Sequence, residues 1–161
     1  MPPGDGTILF ENARIIWRNF AGKETRYTAE GERNFSVVIE DEELADRLEA
    51  DGWNIKRKDP RDEEETGLIH LPVKVAYGKG RPPLVVMITS RNRVPLGEDE
   101  LEMLDYADIK SVDLIVRPYS WTVRGETGVK AYLKELFITI NESPLQLKYA
   151  DIPLASNNSE D

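Results

Sequence analysis

Apolar positions in this chain recur mostly at every second residue, the period of a strand with one buried face. Thr7 to Trp17 (TILFENARIIW), dense in Ile, Leu, Phe and Trp, predicts a first strand. Arg18 to Gly31 is polar and glycine-punctuated, a long loop or loose hairpin. From Glu32 to Ile39, Phe35, Val37 and Ile39 face one way and Asn34 and Ser36 the other, a second strand. Asp41 to Ala50 (DEELADRLEA) breaks the rhythm. Acids crowd its first turn, Leu44, Ala45 and Leu48 make a narrow apolar stripe and Gly52 follows as a stop, so it predicts a helix packed on something larger.

Further along, Trp53 to Lys58 reads as a short strand or edge segment and Asp59 to Thr66 as a charged loop. Leu68 to Tyr77 and Leu84 to Thr89 are two more strands, and Gly97 to Leu104 a short helix. Lys110 to Val123 and Val129 to Ile140 are the longest strand candidates, joined across the two glycines of Arg124-Gly125-Glu126-Thr127-Gly128. Six or seven strands with one good helix after the second, and no repeated βαβ unit, predict a mainly β fold: an OB-type Greek-key β-barrel with one inserted α-helix and long loops. An unrelated β-sandwich is the second choice. The domain is expected over residues 1–141, followed by a 142–161 C-terminal extension ending in a small polar acidic tail, Ser156 to Asp161.

The length of 161 residues suits one such domain, and 40% hydrophobic residues suffice for a core. The absence of cysteine excludes disulfide scaffolds, thiolate zinc sites and cysteine nucleophiles. A single histidine, His70, excludes a histidine-based metal cluster, and no Gly-x-Ser-x-Gly elbow accompanies it. Gly78-Lys79-Gly80-Arg81 lacks the Gly-Lys-Ser/Thr ending of a phosphate loop and reads as a flexed hairpin tip; no cofactor or metal is implied. No apolar run approaches a membrane span, and Met1 to Gly6 has neither the basic flank nor the apolar stretch of a signal peptide, so a soluble protein of the cytoplasm is expected.

A net charge of −9 argues against a nucleic-acid partner until its placement is considered. Residues 40–51, 59–65 and 142–161 together hold −13, leaving +4 on the rest. Thr66 to Gly97 carries Lys74, Lys79, Arg81, Arg91 and Arg93 and no acid. Rings are interleaved with the cations. Arg18 and Phe20 lead to Lys23, Arg26 and Tyr27, and Tyr77 precedes Lys79 and Arg81. Arg117, Tyr119 and Trp121 alternate on one strand and so share a face, with Arg124 at the turn, while Lys130, Tyr132 and Lys134 share a face of the next. Cations neutralise phosphates and rings stack on unpaired bases, the needs of a single nucleic-acid strand. Trp17, Phe35 and Phe137 are instead expected in the core.

The stretches ARIIWRNFAGKETRYTAEGERNFSVVI, DEELADRLEADGWNIK and LDYADIKSVDLIVRPYSWTVRGETGVKAYLKELFITI, in that order, resemble single-stranded-DNA-binding proteins encoded by tailed bacteriophages. The resemblance spans about Ile8 to Ile140. It implies an OB fold, a non-enzymatic role in phage replication or recombination, and a groove drawing on Arg18, Phe20, Lys23, Arg26 and Tyr27 with Arg117, Tyr119, Trp121, Arg124, Lys130 and Tyr132. Phage or host replication and recombination proteins are the protein partners it implies, with self-association open. Tyr149 to Leu154 (YADIPL) is similar to the acidic Asp-Ile-Pro-Phe ending of such proteins, but Leu stands for Phe and seven residues follow, so it reads first as an ordinary polar terminus.

Two rivals make different demands. A metal-dependent nuclease would need carboxylates converging on a cation, with Asp113, Glu126 and Glu135 the available set beside Lys134. A structural phage protein would keep the β-barrel and show no salt-dependent affinity for oligonucleotides. Duplex DNA has no basic recognition helix to receive it, the one clear helix being acidic.

Overall fold

The computed structural model describes residues 6–26, 28–58, 67–78 and 80–142, with Leu145 and Lys148. Tyr27, Lys79, the 59–66 loop and the acidic tail with its YADIPL segment therefore lie outside the described residues. Among the described residues the named elements form one nine-stranded sheet and an α-helix: β1 (Ile8–Phe10), β2 (Arg14–Asn19), β3 (Arg33–Val38), α1 (Glu42–Ala50), β4 (Lys56–Lys58), β5 (Leu68–Val75), β6 (Leu84–Ile88), β7 (Arg93–Pro95), β8 (Ile109–Val123) and β9 (Glu126–Ile140). A 3-10 helix, Glu98–Asp105, precedes β8.

The expected first strand is in fact two, parted at Asn12, whose φ of 51° turns the chain. β7 was not foreseen, because three residues show no period. The last hairpin is tighter than expected: Val123 pairs with Glu126 across Arg124 and Gly125, both at positive φ (53° and 82°), the two-residue turn whose twist suits a hairpin. Asp41 caps α1, its Oδ1 accepting from the N–H groups of Glu43 (3.0 Å) and Leu44 (3.3 Å).

The main strand path is β1-β8-β9-β5-β3-β2, with β9 meeting β5 at Ala131 and Tyr132 and β6 further along, at residues 135–139. The sheet curls around a core of Phe20, Phe35, Val37, Leu71, Val73, Leu114, Leu133, Leu136 and Ile138, into which the 3-10 helix pushes Leu101 and Leu104. α1 adds Ala45 and Leu48. The OB-like architecture is as expected, but the barrel is not closed: no ladder joins β2 to β8, and the Ala13 N–H to Val112 carbonyl bond (2.8 Å) touches across the gap.

Two bulges decide what faces outward. On β9 the register jumps from Glu135 to Leu133 while β8 advances by one, so Lys134 is the extra residue and Leu133 and Leu136 both point inward despite their odd spacing. On β2 the register jumps between Ile16 and Asn19 against Ser36 and Asn34, one residue too many, with Trp17 at φ 53°. Everything after that point on β2 changes sides.

Candidate nucleic-acid interface

The outer face of the long hairpin is built by alternation. Val112, Leu114 and Val116 turn inward on β8, which leaves Arg117, Tyr119 and Trp121 outward against Tyr132, Lys130 and Gly128 of β9. The Tyr119 and Tyr132 rings lie 5.3 Å apart, tilted by 36°, and the Arg117 guanidinium sits over the Tyr132 ring at 5.3 Å. Tyr119 is half exposed and Lys130 exposed. Trp121 lies flat across Gly128, so closely that a Cβ there would come within 2.6 Å of its Cζ2. Glycine at 128 is what lets the ring lie down on the strand.

The face continues through β5, where Lys74 pairs in register with Tyr132, and into β3, where Asn34 pairs with Lys74. The Lys74 ammonium lies 3.7 Å from the Glu32 carboxylate. The backbone N–H of Ala29, with Lys74, holds the Glu32 carboxyl below its usual range, and Lys130 acts in the same direction. The far end of the first loop thus comes back beside the hairpin.

The first loop is not loose. Asn19 brackets Lys23, its Nδ2 donating to the Lys23 carbonyl (2.9 Å) and its Oδ1 accepting the Lys23 N–H (3.0 Å), and the Gly31 N–H donates to the Gly22 carbonyl (2.8 Å). Two of its expected contacts are overturned. Phe20 is completely buried, stacked on Phe35 at 5.3 Å, and cannot meet a base. Arg18 donates from Nη1 to the carbonyls of Leu104 (2.7 Å) and Ala107 (2.9 Å), which commits its guanidinium to the C-terminal end of the 3-10 helix. Lys23 is exposed but donates to the Tyr106 hydroxyl (2.9 Å), a bond that raises its pKa. Arg26, Arg81 and Arg124 are exposed; Tyr77 packs on the core with a buried hydroxyl that finds no partner among the described residues, and that burial raises its pKa.

The structure also adds residues that sequence reasoning missed. Trp17, expected in the core, is 55% exposed. Its ring meets His70 edge-on at 4.8 Å, with the Lys58 ammonium 5.8 Å from its centroid. β4 alternates: Arg57 turns to α1, pairing with Asp46 (2.7 Å) and Glu49 (3.1 Å), while Lys56 and Lys58 take the other face, in register with His70 and Leu68. His70 is buried under Trp17, its Nδ1 3.1 Å from Ser36 Oγ. Burial pushes its imidazole below the ordinary 6.5, and Lys56 and Lys58 push the same way. The Lys-Arg-Lys run at 56–58 was the signal available in the sequence.

The nuclease set does not converge. Asp113 pairs with Phe137 at one end of the hairpin and Glu126 sits at the other, ten residues away, about 33 Å at strand rise. Asp113 instead accepts the Asn12 N–H (2.9 Å). Among the described residues no three His, Asp or Glu side chains are grouped to hold a metal ion, and no helix is long and apolar enough to cross a membrane.

The family model of the phage ssDNA-binding domain matches residues 5–161. The chain belongs to that family. Among solved structures, the C-terminally truncated single-stranded DNA-binding protein from bacteriophage Enc34 superimposes with a TM-score of 0.56 at 15% identity, covering 88% of this chain and 89% of that one. A second structure of the Enc34 protein gives 0.56 at 13%, covering 98% and 92%. Its complex with ssDNA gives 0.54 at 14%, covering 88% and 90%. At such identities the likeness is one of fold. A search of curated protein sequences finds no match. Within this phage ssDNA-binding domain, the hairpin face and its continuation onto β5 form the surface on which rings and cations gather.

Proposed function

We propose that this protein binds single-stranded DNA with little sequence preference, along the outer face of β8, β9 and β5, and serves phage replication or recombination in the cytoplasm of the host cell. Membership of the ssDNA-binding family sets the ligand class. The observation that carries the location is the Arg117–Tyr132–Tyr119 cluster, a cation and two rings on a half-exposed strand face with Lys130 and Lys74 alongside. Rings stack on bases of any identity and cations meet phosphates, so such a face needs no base-edge readout. Arg26, Arg81 and Arg124 would act as outlying phosphate contacts. The protein acts by binding alone, without catalysis. We assign residues 142–161 to a C-terminal extension that would offer contacts to replication proteins or to a second copy of the chain.

The test is a fluorescence titration with matched single- and double-stranded oligonucleotides at two ionic strengths, with and without a chelator. Preference for the single strand, weakened by salt and indifferent to chelator, is the expected result. Chelator-sensitive loss of the strand would favour a nuclease, and the absence of binding at either salt would favour a structural phage component.

A further inference from the structure

Trp17 is a large ring held where neither sequence pattern nor burial would put it. Its φ of 53° is a left-handed conformation that bulky side chains rarely adopt, and the ring gains no burial in exchange, being 55% exposed. Strain of this kind persists where the surrounding structure enforces it and often marks a working residue. Here the β2 bulge enforces it, turning Trp17 onto the face that carries His70, Lys74 and Tyr132. His70 props the ring edge-on, and Lys58, on a flexible stem, lies against it and can leave it for a phosphate.

The spacing joins this ring to the hairpin. His70 and Lys74 are four residues apart on β5, about 13 Å at strand rise, with Pro72 between them. Neither β3 nor β5 contributes a carboxylate to the interval. A strand of nucleic acid leaving Tyr132 past Lys74 passes Glu32, whose carboxylate lies 3.7 Å from the Lys74 ammonium, and then meets a second cation–ring group with no acid from β3 or β5 between.

We infer that Trp17 is a second base-stacking platform, with Lys56 and Lys58 as its phosphate contacts, at the far end of one ssDNA track that begins on the β8–β9 hairpin. The inference rests on the ssDNA reading given above and adds its second half.

Trp17→Gly tests it. Glycine suits the left-handed backbone and offsets part of the lost Trp17–His70 contact, so the variant should still fold cooperatively, yet its affinity for fluorescein-labelled oligo-dT, read by anisotropy, should fall about 5- to 150-fold, the equivalent of one stacked base. Wild-type affinity in Trp17→Gly overturns the second platform and leaves the hairpin site standing. Failure of wild-type protein to bind oligo-dT overturns the ssDNA reading itself. A second readout does not depend on that variant's folding. In Trp121→Phe protein the remaining tryptophans are Trp17 and the buried Trp53. Saturating oligo-dT should quench emission there; unchanged emission at saturation rejects stacking on Trp17, as would be the case if the ring served a protein partner.

Discussion

At residue scale, one extra amino acid on β2 inverts three side chains. Strict alternation from the inward Ile15 sends Trp17 into the core and Arg18 and Phe20 to the surface. The bulge between Ile16 and Asn19 does the reverse: Trp17 emerges, Phe20 is sealed against Phe35, and Arg18 turns to the carbonyls of Leu104 and Ala107. Bulges of this kind favour glycine at the left-handed position, so a tryptophan there leaves no mark in the sequence except the unalternating run Ile15-Ile16-Trp17. The emerged ring in turn buries His70, whose pKa is lowered first by desolvation and then by Lys56 and Lys58. Its unfolded form takes up a proton near pH 6.5 while the folded form resists until lower pH, so stability drops as pH falls below about 6.5 and levels off beneath the folded pKa. Melting temperatures of wild type should therefore decline more than those of His70→Gln between pH 7 and 5.5, and parallel profiles would remove His70 from the acid response.

At element scale, periodic segments were legible and the places where a bulge breaks the period were not. The β8–β9 hairpin, β3, β5 and α1 follow their apolar periods, and with them Arg117, Tyr119, Trp121, Lys130 and Tyr132 came to one surface as the alternation implied. β7, three residues long, carries too little period to read; β4 was legible as a short edge segment within Trp53 to Lys58, but Lys56 and Lys58 join the site only because Trp17 emerges beside them. The first loop looked free because it is polar, yet its polar groups bond chiefly to one another and to the 3-10 helix. Asp105 accepts the N–H groups of Phe20 (2.7 Å) and Ala21 (3.1 Å), and Arg33 pairs with Glu98 at 2.7 Å. Arg18 belongs to this clasp. Arg18→Ala should lower stability by about 2 kcal/mol, the scale of charge-assisted bonds left unmade, while folded protein keeps wild-type affinity for ssDNA. A stable variant with weakened binding would return Arg18 to the interface.

At the scale of the whole molecule, a net charge of −9 coexists with a cationic face because the strands sort the charge. α1 gathers acids and neutralises Arg57 with Asp46 and Glu49, while Lys56, Lys58, Lys74, Arg117 and Lys130 stand on the other face of the sheet. If the track lies on this face, repulsion by the acidic side and attraction by the basic one would both orient an approaching strand, and both would fade as salt screens them. The most direct measurement is the oligo-dT association constant as a function of salt. If five cations each meet a phosphate, log K against log salt should fall with a slope of about −3.5, at about 0.7 per contact for single strands, and removing Lys74 or Arg117 should flatten it by about 0.7. A slope near zero, or one untouched by either substitution, would contradict an electrostatic track on this face.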